Sequence, residues 1–161
     1  DDWVYLITDL ADGGDLRTSL EANQPLPHKQ VHKIATDVAQ ALAALHSHGV
    51  VHRDLKPGNI LLHQRKWRLT DFGISKNLGR LQTARTMRGR GTEGFAAPEQ
   101  WNQVEARPSA DVFSYGQVLR RLVGVGNSAW QSIIDDCTKS DPEARPGMGT
   151  VIERLKGFAG E

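Results

Sequence analysis

At 161 residues and 39% hydrophobic, the chain can bury one core and is expected to form one domain. Its formal net charge of +1 gives no global pull toward nucleic acid or an anionic membrane, and its apolar runs are too short for a signal peptide or a membrane span. The single cysteine, Cys137, cannot close an internal disulfide, which suits a reducing, cytoplasmic setting, either alone or as the cytosolic part of a larger membrane protein.

In chain order, Trp3-Val4-Tyr5-Leu6-Ile7-Thr8 reads as a strand beginning close to the terminus. Few strand-like segments exist to pair with it, so the chain is expected to be a piece of a larger protein. Asp9 to Leu16 reads as a glycine turn leading into a short helix that Asp15 would cap. From Pro27 to His48, Val31, Ile34, Ala35, Val38, Ala41, Leu42 and Leu45 recur at helical spacing, and Gly49 supplies the stop. His28 and His32 stand four apart and could share a metal, but with no third ligand in view a solvated first turn is the better reading. His46 and His48 suit the negative end of the helix dipole.

Next, two short β-prone runs, Val50-Val51 and Ile60-Leu61-Leu62, flank the polar loop His52 to Asn59, which Pro57-Gly58 makes a turn. In that loop Asp54 can accept a proton, Lys56 can neutralise a transferring phosphoryl group, and Asn59 can offer an oxygen to a metal. Trp67-Arg68-Leu69-Thr70 is a second strand, pairing with 60–62 across a turn near Gln64. The hairpin would bring Asn59 and Asp71 to neighbouring strand ends, facing one metal–phosphate site. Residues 74–92 carry no acidic residue but hold Lys76, Arg80, Arg85, Arg88 and Arg90. Helices are expected, one opening with Asp111 to Leu119, others around Trp130, Ile133, Ile134 and Cys137, and around Val151, Ile152, Leu155 and Phe158. Gly89 to Gly94 and Gly124 to Ala129 match dinucleotide-loop patterns but lack the flanking strand and helix, so both are set aside.

His52-Arg53-Asp54-Leu55 with Asn59, then Asp71-Phe72-Gly73, then Ala97-Pro98-Glu99, occur in the order of the protein-kinase motif set, and the loop matches at every fixed position. The chain therefore resembles the C-terminal lobe of a eukaryotic-type serine/threonine protein kinase. The resemblance implies an α+β, mainly α-helical fold with a short β-hairpin bearing the catalytic loop. Residues 1–11 would be the last small-lobe strand and the hinge, and 12–161 the large lobe. It also implies ATP and Mg2+ as cofactors, with Asn59 and Asp71 as metal ligands. Asp54 would orient the substrate hydroxyl and Lys56 would stabilise the phosphoryl group, its position favouring serine or threonine acceptors. Backbone groups of Asp9 and Ala11 would meet the adenine edge, with Thr8 as gatekeeper, Asp15 at the ribose and Leu61 beneath the ring. Thr92, in the substrate-docking segment Gly91 to Glu99, would touch Asp54 and Lys56. Arg53 would pair with a phosphate on Thr83 or Thr86, against the competing reading of a disordered basic loop. Asp111 would cap its helix and brace the catalytic loop, and Arg145 would pair with Glu99. The Gly-Thr-Glu-Gly-aromatic wording at Gly91 to Phe95 is similar to the kinase-ribonuclease that senses unfolded proteins in the endoplasmic reticulum, although no ribonuclease-like extension follows Glu161.

Two departures stand out. No glycine-rich phosphate loop, Val-Ala-Ile-Lys-like strand or partner glutamate helix precedes Trp3, and only a few residues separate the central helix from Trp130, where kinases usually place another helix. They divide two readings: the large lobe of an active kinase whose small lobe is supplied in cis or in trans, or a catalytically silent kinase-shaped binding module. The expected partners are that lobe and a protein substrate, without nucleic acid or membrane insertion.

Overall fold

The computed structural model describes residues 7–22, 25–71, 93–101, 107–124 and 128–158. In order these form α1 (Leu16–Glu21), α2 (His28–Ser47), β1 (Ile60–His63), β2 (Lys66–Leu69), α3 (Pro98–Trp101), α4 (Pro108–Val123), α5 (Ser128–Cys137) and α6 (Met148–Lys156). The expected mainly helical fold with one short hairpin is what is observed. Of the expected first strand, residues 3–6 lie outside the described residues, and Ile7 and Thr8 are not in a strand.

The core forms where α4 crosses the other helices. Its Val112, Tyr115, Val118 and Leu119 are no more than 2% exposed, the outcome of an apolar face repeating at three and four residues. Gly116 lets α5 approach: a Cβ there would stand 2.6 Å from Thr138 Cγ2 and 2.9 Å from Cys137 Cβ. Tyr115 donates its hydroxyl proton to the Ala35 carbonyl at 3.1 Å, tying α4 to α2. His32 donates from Nε2 to the Leu155 carbonyl at 2.9 Å, so it joins α2 to α6 and its ring is spent on packing.

The hairpin is antiparallel with Ile60 opposite Leu69 and His63 opposite Lys66. Gln64 and Arg65 close it with φ of 49° and 63°, the twist that a two-residue turn needs. The second strand thus starts and ends one residue earlier than its sequence suggested. The buried Asp37 of α2 accepts from Trp67 N–H at 3.0 Å and from Lys33 Nζ at 2.9 Å, anchoring the hairpin to the helix.

One expectation is corrected. Asp111 does not cap α4: the helix begins at Pro108 with Arg107 at the cap position. Proline's fixed φ suits a first helical residue, so the start is set three residues upstream. That leaves the Asp111 carboxylate, fully buried, for another purpose.

Candidate active site

The loop between α2 and β1 contains no helix or strand until Pro57–Asn59 forms one 3-10 turn, closed by Asn59 N–H to the Lys56 carbonyl at 2.9 Å. Its backbone must therefore be held from outside. Asp111 does this: Oδ2 accepts from His52 N–H and Oδ1 from Arg53 N–H, each at 2.8 Å. His46, at the end of α2, donates from Nε2 to the same Oδ2 at 2.8 Å. From the other side, Gln100 of α3 donates to the Arg53 carbonyl at 2.9 Å, and its Oε1 accepts from Ala97 N–H at 2.8 Å. Between these two grips Arg53 adopts φ 73°, a left-handed conformation that a non-glycine residue keeps only when its surroundings impose it.

That backbone turn delivers the next side chains to one place. Lys56 Nζ donates to Asp54 Oδ2 at 2.7 Å. Asn59 Nδ2 donates to the Asp54 carbonyl at 2.8 Å and to Asp54 Oδ2 at 3.2 Å. Asn59 is 6% exposed, whereas the Asp54 and Lys56 side chains stay 18% and 31% exposed, so the cluster has a closed floor and an open top. The Asn59 carbonyl accepts from Thr70 N–H at 3.0 Å, which puts Asp71 one residue beyond a rung shared with Asn59. Asp71 is exposed and has φ 57°.

The donor set fits a hard cation. With its Nδ2 committed to Asp54, Asn59 has the Oδ1 acceptor left, and Asp71 adds a carboxylate one backbone rung away. Magnesium commonly binds through one or two such protein oxygens, with waters and phosphate oxygens completing its octahedron. Among the described residues no three His, Cys, Asp or Glu side chains converge as in a protein-only metal cage.

His52 is buried, and desolvation holds its imidazole below the ordinary 6.5. Its Nδ1 lies 3.4 Å from Asp54 N–H, an acceptor position that requires that nitrogen to be unprotonated.

A family profile described as the protein kinase domain matches residues 1–132. The chain belongs to the protein kinase family. Among curated relatives, a RasGEF domain-containing serine/threonine-protein kinase of Dictyostelium discoideum is 37% identical, over 87% of this chain and 15% of its own. A probable LRR receptor-like serine/threonine-protein kinase of Arabidopsis thaliana is 42% identical, over 74% of this chain and 23% of its own. A serine/threonine-protein kinase of Streptomyces coelicolor is 37% identical, over 97% of this chain and 34% of its own. The chain therefore spans about a third or less of these relatives.

The remaining kinase positions are spread more widely. Asp15 accepts from Thr18 N–H at 2.7 Å and caps α1; that bond is the main reason its carboxyl is held below the usual 3.8. An isolated bridge joins Asp15 to Leu61, while Gly13 and Gly14 exchange backbone bonds of 2.9 Å with Leu62, so the segment entering α1 lies along β1. Thr8 and Asp9 are exposed and Ala11 is half-buried, all in irregular chain. Arg53 is half-buried; Thr83, Thr86 and Thr92 lie outside the described residues. Arg145 pairs with Glu99 through two bonds of 2.6 and 3.0 Å, as the kinase resemblance implied. Sequence reasoning missed Gln100 and the His46 contact. Each acts on a residue 47 or more positions away, and neither motif nor periodicity carries such information.

Proposed function

We propose that the parent protein is a serine/threonine protein kinase and that residues 12–161 are most of its large lobe, with 1–11 as small-lobe strand and hinge. The observation that carries this is the convergence of Asp54, Lys56 and Asn59 on a backbone turn clamped by Asp111, in a chain of the kinase family.

Each residue's part follows from its chemistry. The Asp54 carboxylate would accept a hydrogen bond from the incoming serine or threonine hydroxyl, aim its oxygen and take up its proton as the new O–P ester bond forms and the bond from the γ-phosphorus to the bridging oxygen breaks, ADP leaving with that electron pair. Lys56, 2.7 Å from that carboxylate, supplies positive charge beside the group in transfer. Asn59 Oδ1 and the Asp71 carboxylate would hold Mg2+, which would supply positive charge to offset that of the ATP phosphates. Asp15 and Leu61, brought together along β1, form the nucleotide's ribose and adenine floor, with Thr8, Asp9 and Ala11 lining the hinge edge. Thr92, which lies outside the described residues, would touch Asp54 and Lys56 from the docking segment, as the kinase resemblance implies. Phosphate on Thr83 or Thr86 would meet Arg53 and order the basic segment.

Phosphoryl transfer works by positioning and charge stabilisation on both sides of the nucleotide. The 161 residues contain no glycine-rich loop and no small-lobe lysine, so by themselves they are expected to be inactive, their small lobe being supplied in cis or in trans. The setting is inferred to be cytosolic because the chain's single cysteine, Cys137, cannot close an internal disulfide, which suits a reducing compartment. Among the described residues no helix is long and apolar enough to cross a membrane.

The test is phosphorylation of serine, threonine and tyrosine peptides by the full-length protein and its Asp54→Asn variant. Transfer to serine or threonine, lowered about 100-fold or more by the substitution, is expected from loss of a positioned base. Wild-type transfer unaffected by Asp54→Asn would overturn the assignment. A full-length protein that binds nucleotide yet transfers nothing would favour the silent module.

A further inference from the structure

The peptide unit joining Arg53 to Asp54 is held at both ends by side chains. Its carbonyl accepts from Gln100 Nε2 at 2.9 Å, and its N–H lies 3.4 Å from His52 Nδ1. The preceding peptide unit is held separately, Arg53 N–H donating to Asp111. Because a peptide unit is planar, fixing its carbonyl oxygen fixes the direction in which the next Cα leaves it. Gln100 therefore acts on the plane from which the Asp54 side chain springs, whereas Asp111 acts one plane earlier.

The Gln100 side chain is itself aimed by its surroundings. It is buried, and its Oε1 accepts from Ala97 N–H at 2.8 Å. That N–H can only donate and the Arg53 carbonyl can only accept, so the amide has one orientation. Its helix, α3, is fixed through Glu99, whose two oxygens meet the fully buried Arg145 side chain. Ahead of Ala97, the Phe95 carbonyl accepts from Ser114 Oγ at 2.8 Å. One side chain thus joins the segment Phe95 to Glu99 to the plane that carries Asp54. A purely structural use also exists for it: a glutamine reaching back to Ala97 N–H closes one half of a capping box. The bond to Arg53 adds nothing to that cap.

We propose that Gln100 is a positioning residue for phosphoryl transfer, its amide holding the Arg53–Asp54 peptide plane so that the Asp54 carboxylate faces the incoming hydroxyl. The proposal rests on the catalytic reading of Asp54.

The experiment compares the full-length protein with its Gln100→Glu variant. Glutamate keeps an oxygen for Ala97 N–H, as capping boxes allow, but sets its other oxygen against the Arg53 carbonyl. Two quantities are read: deuterium exchange of the backbone amides, and steady-state transfer to a serine peptide. The kcat is expressed per nucleotide-binding site, so that unfolded molecules do not count. In Gln100→Glu, exchange over residues 52–56 is expected to quicken while that of α2 stays as in the wild type. Its kcat should fall about tenfold while KM for ATP and peptide changes less than about threefold, since a misplaced base costs rate rather than binding. Gln100→Met, which keeps neither bond, should lose kcat to the same degree and melt lower. Gln131→Glu, on the exposed side of α5, repeats the charge change away from the loop and should match the wild type. Unchanged exchange over residues 52–56 in Gln100→Glu would overturn the proposal. So would a kcat within about twofold of the wild type in that variant, with or without a loss in Gln100→Met, because the cap alone would then explain the residue. A wild-type protein without transfer overturns the catalytic reading and this proposal with it; an active one indifferent to Gln100→Glu overturns this proposal alone.

Discussion

Arg53 concentrates the physics of the loop: a φ of 73° held by Asp111 on its N–H and Gln100 on its carbonyl. Replacing Asp111 by Ala strands two buried amide protons and the His46 ring nitrogen together. Loss of a fully buried charged partner of this kind costs about 3–5 kcal/mol, and urea unfolding of Asp111→Ala should show it. An unchanged midpoint would mean that the clamp is not what holds the turn. His52 makes a second residue-scale prediction. Because burial holds its pKa below 6.5, the unfolded chain takes up a proton at this residue before the folded one does. Stability should therefore be fully present above pH 6.5 and decline as pH falls below it. In His52→Gln that decline should flatten over the same interval, as read from unfolding midpoints against pH. The opposite slope would contradict a neutral buried imidazole. Of these residues Asp54, Lys56 and Asn59 stood out by residue type within one loop, and the roles expected of them came from the motif resemblance. The service of His46 to Asp111 was not, because a helix-end histidine reads the same whether it meets solvent or a carboxylate brought in by the fold.

At the scale of elements, two contacts decide how the helices sit. Gly116 is the small residue that lets α4 and α5 close, with a built Cβ only 2.6 Å from Thr138 Cγ2. Gly116→Val is expected to cost about 1–3 kcal/mol by overpacking, measurable as a lowered melting temperature. Arg145 binds the segment ahead of α6 to α3 and α4. Its side chain is fully buried, pairs with both oxygens of Glu99, and donates to the Lys139, Ser109 and Ser140 carbonyls. It also lies 4.9 Å over the Phe113 ring. Arg145→Ala leaves the partly buried Glu99 and three carbonyls without their partner, a change expected to cost about 3–5 kcal/mol. Arg145→Lys should recover only part, since an ammonium cannot reproduce the two-pronged geometry. An unchanged melting temperature in Arg145→Ala would refute this. The long helix α2 and the hairpin were legible within a residue because their apolar patterns are regular, whereas α3 was not foreseen. The start of α4 was misread because the buried carboxylate of Asp111 looks, in sequence, like a capping residue.

For the molecule as a whole, the order of motifs carried more than any single element. The mainly helical fold, the hairpin and the Glu99–Arg145 pair all follow from it. Of the expected first strand only Ile7 and Thr8 are among the described residues, and both are irregular and exposed, as is Leu10. Strand formation depends on neighbours that sequence alone does not supply. The central claim is that Asp54, Asn59 and Asp71 surround one metal–phosphate site. The most direct measurement is paramagnetic broadening of backbone NMR signals by Mn2+ with a non-hydrolysable ATP analogue at millimolar concentration. The account predicts broadening centred on residues 54–59 and 70–71, lost in Asp71→Asn. Broadening centred elsewhere, or unaffected by that substitution, would contradict it.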